Sequence, residues 1–323
     1  LEKEKASHNS SRRRFITQTR VIALGSAIPL KLMAEDATKK KEPIIDIHQH
    51  IHYHARTDEQ LMAHQLAMGV STTILLPAGR PANSPATHQG VSNGLQAQVG
   101  GNAEGYLFAK EHKKQYRFGV CAVPDAQDAL YEIEKYLKLG AIVIGELKFG
   151  MEFDSPEMHK IYQLAQHYNV PVLMHWQHGM YNYGFDRFYK ILEQYPRVNF
   201  IGHAQTWWAN IDKNHVDQSV LYPKGAVTPG GITDRYLSDY PNMYGDLSAG
   251  SGLNALTRDE DFTRGFFERH QNKLLFGSDC ADAVGQGKEC DGAQIIATVR
   301  KLSSAKNIER KLLFENAQKL FKL

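Results

Sequence analysis

Eight short apolar runs, rich in Val, Ile and Leu, alternate with helical patterns along this chain, and that alternation most restricts its fold. They span 44–48, 70–76, 116–123, 141–148, 170–175, 198–203, 243–247 and 273–279, and Pro77 and Pro124 close the second and third. Between them, residues 125–139 repeat apolar positions at helical spacing and stop at Gly140. Ser155 followed by Pro156 is a helix start, with the hydroxyl as cap and the proline at the first turn. Residues 186–195, 257–270 and 293–302 follow the same pattern, and 308–321 predicts a closing amphipathic helix. Eight strands alternating with helices predict an α/β fold, a single-domain (β/α)8 TIM barrel. A doubly wound open sheet is the competing arrangement, but no Gly-rich phosphate turn follows the first run.

At 323 residues and 42% apolar, the chain is long enough for a large core, which excludes a disordered or disulfide-stapled chain. The formal charge of +3 sits mostly in the first forty residues, so the body gives no reason to expect nucleic-acid binding. Cys121, Cys280 and Cys290 are too few and too scattered to predict a disulfide framework or a Cys-rich zinc site.

Residues 1–42 read as a signal segment and linker ahead of a domain over 43–323. Arg12-Arg13-Arg14 precedes the weakly apolar stretch 21–30, the pattern of a twin-arginine export signal. That stretch is too short to span a bilayer, so the expectation is export, to a periplasmic location, without stable membrane insertion.

The histidines carry the chemistry. His48 and His50 close the first run one residue apart. A strand period of two puts them on one face, with Cβ atoms about 6.5 Å apart. His175 ends the fifth run, His203 the sixth and Asp279 the eighth. In a barrel these ends meet at the C-terminal mouth. Buried imidazoles and carboxylates gathered there need partners, and a divalent ion with N/O ligands satisfies them together.

The ordered set His48-x-His50, His175, His203 and Asp279 resembles the amidohydrolase superfamily. The closing Glu315-Asn316-Ala317-Gln318-Lys319-Leu320-Phe321 is similar to the end of its amidohydrolase-related (type 2) branch, which contains metal-dependent hydrolases and decarboxylases. The resemblance spans residues 44–323. It implies one or two divalent ions, Zn²⁺ foremost, held by His48, His50, Glu146, His175 and Asp279. Binuclear members carry a bridging carboxylate or carboxylated lysine on the fourth strand, where this chain has Glu146 and Lys148. Gly145-Glu146 is similar to the strand-four glutamate of the TatD-like nucleases. A structural Glu146–Lys148 ion pair is the competing reading of those two residues.

The expected function is metal-dependent hydrolysis of a small ester, lactone or amide, with Asp279 as proton shuttle and His203 polarising the carbonyl or holding a second ion. The first alternative is a non-oxidative decarboxylase or hydratase on the same scaffold, with Arg80 or Arg235 clamping the substrate. The second is a catalytically silent metal-binding module. The expected partner is a small-molecule substrate; the sequence leaves oligomeric state open.

Other features are weaker. His52, His54 and His178 read as loop residues near substrate. His64, His112, His159, His167 and His270 read as surface or packing residues of helices. Trp207 and Trp208 fit a pocket wall or the core equally. The long segments 78–102 and 205–230 read as loops, and the Gly/Ser-rich stretch 245–252 as a loop able to bind an anion through its backbone.

Overall fold

Ile45 and Ile47 of the first strand, Ile74 of the second with Leu76 just past its end, Val143 just ahead of the fourth, and Leu173, Ile201 and Leu275 of later ones form one buried cluster, the interior of a closed barrel. The computed structural model describes residues 42–77 and 99–323. All eight expected strands form, and all but the first are shorter than their apolar runs. They are β1 (Ile45–Gln49), β2 (Thr72–Leu75), β3 (Tyr116–Phe118), β4 (Ile144–Leu147), β5 (Val172–His175), β6 (Phe200–His203), β7 (Met243–Asp246) and β8 (Leu274–Leu275).

The strands pair in parallel in the orders β1-β2-β3 and β4-β5-β6-β7-β8. Two seams close the ring. Val120 bridges Ile144 beside β3 and β4, and the Ile47 N–H donates to Phe276 O at 3.0 Å between β1 and the end of β8. A parallel sheet buried on both faces needs apolar residues on both, hence the unbroken runs.

The helices cover the outside: α1 (Asp58–Met68), α2 (Asn102–Glu111), α3 (Ala129–Lys138), α4 (Pro156–Tyr168), α5 (Tyr189–Gln194), α6 (Gln205–Ala209), α7 (Ile232–Asp239), α8 (Ala249–Thr257), α9 (Glu260–His270), α10 (Asp291–Leu302), α11 (Lys306–Arg310) and α12 (Asn316–Phe321). Ser155 Oγ accepts from Met158 N at 3.3 Å, and Pro156 opens α4 as its sequence requires. The closing helix is real but broken by a π-helical turn, Lys311–Glu315. Ala317, Leu320 and Phe321 of α12 pack onto the interior cluster and plug the barrel.

Several expectations need correction. The 257–270 pattern joins two helices, because Asp259 Oδ1 accepts from Phe262 N and caps a fresh start at Glu260. Half of the Gly/Ser-rich stretch, from Ala249, is the start of helix α8, and the Ser248 N–H that would hold an anion donates to Asp246 Oδ1 instead. Trp207 and Trp208 are core: both are buried, and Trp208 Nε1 donates to Asp246 O at 2.9 Å. A Cβ on Gly202 of β6 would sit 2.4 Å from the Trp207 ring, so only glycine lets that indole lie against the strand. Arg235 is exposed on α7. The expectations for Arg80, for residues 78–98 and for the export segment fall outside the described residues.

Candidate metal centre

Strict alternation along β1 would turn His48 outward, because Ile45 and Ile47 already face the barrel interior. The same count along β4 puts Val143 inside and Glu146 outside. Both strands carry a register irregularity, between Asp46 and Gln49 on β1 and between Ile144 and Leu147 on β4. These shifts bring His48, His50 and Glu146 to the interior, where His175 and His203 arrive by regular alternation from Leu173 and Ile201. The face shared by His48 and His50 is therefore set by a bulge, and the plain period of two does not account for it. Asp279 also departs from its expected place. Strand β8 ends at Leu275, and Asp279 sits four residues later with φ 42°, its N–H donating to His48 O at 2.7 Å.

The six residues converge. His48 Nε2 and His50 Nε2 are 3.3 Å apart, and each lies 3.6 Å from Glu146 Oε2. Asp279 Oδ1 lies 3.3 Å from His50 Nε2 and 3.8 Å from His48 Nε2. On the other side, Glu146 Oε1 lies 2.5 Å from His175 Nδ1 and 3.7 Å from His203 Nε2. Asp279 Oδ2 lies 3.5 Å from His203 Nε2. Donor atoms on one tetrahedral ion stand about 3.3 Å apart when each bond is about 2.0–2.1 Å, so the first group fits a divalent cation as it stands and the second fits once the hydrogen-bonded Glu146–His175 pair opens by about 0.8 Å.

The ring nitrogens that face away are also engaged. His48 Nδ1 donates to Asp246 Oδ2 at 2.7 Å, and His50 Nδ1 donates to Leu76 O at 2.8 Å. His203 Nδ1 donates to Ser248 Oγ at 3.0 Å, and that hydroxyl donates on to Asp246 Oδ2 at 2.8 Å. His175 Nε2 lies 3.3 Å from Gln177 Oε1. Such partners fix the tautomer and aim the opposite nitrogen at an ion.

Asp246 is the residue that the sequence reading passed over. It closes β7 as His203 closes β6, so its strand-end position was the signal, masked by the glycines and serines that follow it. Lys148 lies with its Nζ 5.3 Å from the centre of the Tyr181 ring, and Glu146 pairs with His175 instead of Lys148. His52 faces Asp58 at 3.3 Å and His54 stacks on Tyr53, both near the surface.

Charge at the centre is strongly coupled. Burial pushes the Glu146 carboxyl up, but His175 and His48 outweigh it and hold it well below the usual range. Burial likewise opposes ionised Asp279, and His48, His203 and His50 overcome it, holding that carboxyl well below normal. Asp246 is held down to about 2, burial being overridden by His48 and His203. Burial disfavours a charged His48, yet Asp279 and Asp246 raise it well above the ordinary imidazole value. Burial and Lys148 push His175 down to about 4. Asp279, with burial second, pushes the nearby Tyr53 phenol up.

Beside the centre opens a cavity of about 470 Å³, lined by Trp176, Gln177, His178, Thr206, Gln218 and Ile232 among others. None of the six clustered side chains lines it.

No protein-family model and no curated protein matches this chain. Solved structures do. An uncharacterised TIM-barrel protein from Bordetella bronchiseptica is 14% identical with a TM-score of 0.59, over 87% of this chain and 98% of that one. A probable 2-pyrone-4,6-dicarboxylic acid hydrolase from Acinetobacter baumannii, with citric acid bound, is 12% identical with a TM-score of 0.55, over 87% and 99%. A dihydroxybenzoic acid decarboxylase from a Polaromonas species, with manganese and 2-nitroresorcinol bound, is 14% identical with a TM-score of 0.55, over 87% and 97%. This likeness extends over nearly the whole described chain and fixes its class as a (β/α)8 barrel.

Proposed function

We propose that this chain is a metal-dependent hydrolase of the amidohydrolase superfamily, in its amidohydrolase-related branch, holding two divalent ions. One observation carries the reading. The two oxygens of Glu146 face different histidine pairs, Oε2 toward His48 and His50 and Oε1 toward His175 and His203. Asp279 divides its oxygens in the same way between His50 and His203. A carboxylate aimed at two nitrogen pairs is suited to bridging two ions. The N/O donor set suits Zn²⁺ or Mn²⁺.

Divalent ions bound there supply Lewis acidity, which acidifies water and polarises a carbonyl. Asp279 stays ionised because His48, His203 and His50 outweigh its burial, so it accepts a proton from attacking water and returns it to the leaving group. His203 Nε2, held by the Ser248–Asp246 relay, orients the scissile carbonyl or completes the second ligand set. The adjoining cavity takes the body of a small ester, lactone or amide, and His178 and Gln177 offer it polar contacts. The twin-arginine pattern around Arg12 and Arg13 supports export of the folded enzyme.

Decarboxylation on the same scaffold is the second reading, supported by the manganese-bound decarboxylase that shares the fold. Anomalous scattering at the mouth, combined with a screen of esters, lactones and amides against release of CO₂ from hydroxybenzoates, tests the choice. Two ions with ester, lactone or amide turnover are expected. One ion with CO₂ release moves the assignment to the decarboxylase.

A further inference from the structure

We propose a second, sulfur-containing metal site on the flank of the barrel, formed by His64, Cys280, Asp282 and Cys290 and suited to Zn²⁺. It is independent of the reading at the mouth, whose six donors contain no sulfur. The cysteines looked too scattered for such a site, and His64 looked like an ordinary helix residue. His64 is indeed a packed helix residue, but the fold brings the two cysteines to it, because the segment after β8 doubles back against α1 and ends at the start of α10. Cys280 and Cys290 thereby reach 3.4 Å between sulfurs, both as free thiols.

All four ligand atoms lie within 4.8 Å of one another. His64 Nε2 is 2.9 Å from Asp282 Oδ2 and 3.5 Å from Cys290 Sγ. Cys280 Sγ is 2.7 Å from Asp282 Oδ2. Tetrahedral Zn²⁺ with Zn–S bonds of about 2.3 Å and Zn–N/O bonds of about 2.0–2.1 Å needs edges of about 3.3–3.8 Å. The group is therefore slightly tighter than a loaded site and opens by less than about 1 Å to accept the ion. His64 and Cys290 are fully buried and Cys280 is nearly so, which gives the closed, protein-ligated shell of a structural zinc.

A backbone donor and a buried cation flank the cluster. Cys290 is the N-cap of α10, and its Sγ accepts from Ala293 N at 3.3 Å. The Arg56 guanidinium donates to Cys280 O at 2.8 Å and to Asp282 O at 2.9 Å, placing a buried cation beside the cluster. Two thiolates and one carboxylate leave the loaded site one negative charge in excess, which Arg56 offsets. Binding Zn²⁺ releases the two thiol protons to solvent. Gly285 closes the loop onto α1 with φ 72°, where a Cβ would meet His64 O at 2.3 Å. An ion here ties α1, the loop and α10 together immediately after Asp279.

The test is zinc K-edge absorption of the purified full-length protein, reconstituted with Zn²⁺ alone under reducing conditions. Only cysteine sulfur can give a Zn–S shell near 2.3 Å, and Cys121 lies apart, its Sγ donating to Glu146 O. A Zn–S shell near 2.3 Å in wild type, whose amplitude averaged over all bound zinc amounts to two sulfurs per chain, lost in Cys290→Ser and in Cys280→Ser, is expected. Nitrogen and oxygen scattering alone would overturn the site while leaving the mouth centre intact. A denatured thiol count of one per chain before reduction, with zinc unable to bind after it, would also overturn it in favour of a disulfide. A Zn–S shell with no metal at the mouth would support this site and remove the two-ion reading instead. If the serine variants fail to fold, the wild-type spectrum still decides.

Discussion

His48 Nδ1 donates to Asp246 Oδ2 at 2.7 Å, so the Nε2 of His48 is the nitrogen turned toward Glu146 and His50. Asp246 also anchors His203 through Ser248. One carboxylate thus aims a histidine on each side of the centre. Asp246→Asn should keep the fold and lower metal affinity by about 10–100-fold, measured by competition with a chelator. Asp246 is held down to about 2, so it is ionised throughout neutral assays; because it also raises the His48 imidazole, which protons and metal compete for, the deficit should narrow as pH falls from about 8 to 6. A deficit that widens in that direction would show that Asp246 does not act through His48.

Asp279→Asn keeps size and polarity but removes the base. Turnover of a screened substrate should fall by about 10²–10⁴-fold, with metal content falling less than in His175→Ala. Near-wild-type turnover with metal bound would move the proton shuttle to His203 or Glu146.

Gly202→Ala places a methyl against the Trp207 ring on the strand that carries His203. Overpacking of this kind costs about 1–3 kcal/mol, read as a lower midpoint in urea with an unchanged slope.

Asp234 accepts from His270 Nε2 at 2.6 Å, between α7 and α9. Burial opposes its ionisation, but the bonds from His270 and Gly230 outweigh it and lower its pKa. A lowered carboxylate contributes stability above the unfolded value of about 3.9 and loses it as pH falls below that. Asp234→Asn should therefore melt below wild type at pH 7, and the gap should narrow as pH drops under about 4. A gap that widens in acid would contradict the assigned direction.

Replacing Arg12 and Arg13 with Lys should hold the folded protein in the cytoplasm, read by fractionation. Unchanged export would remove the twin-arginine reading.

The barrel was legible because each strand is buried on both faces and so writes a continuous apolar run, from 44–48 to 273–279. The centre was legible because His175 and His203 sit where those runs stop. What escaped was whatever depends on departures from regularity. The bulge in β1 and the shift in β4 decide which face His48 and Glu146 occupy, and no residue type announces either. Asp246 was hidden by the small residues that follow it, and the Cys280–His64 contact joins residues 216 positions apart, which spacing alone cannot reveal.

The seam between Ile47 and Phe276 has a consequence for folding. The two halves of that contact are separated by most of the chain, and α12 must then swing in to plug the interior. The ring is therefore one of the last things to form: until that seam pairs, Asp279 has no histidine partners, and closure over so long a loop is slow compared with folding of any single β/α unit.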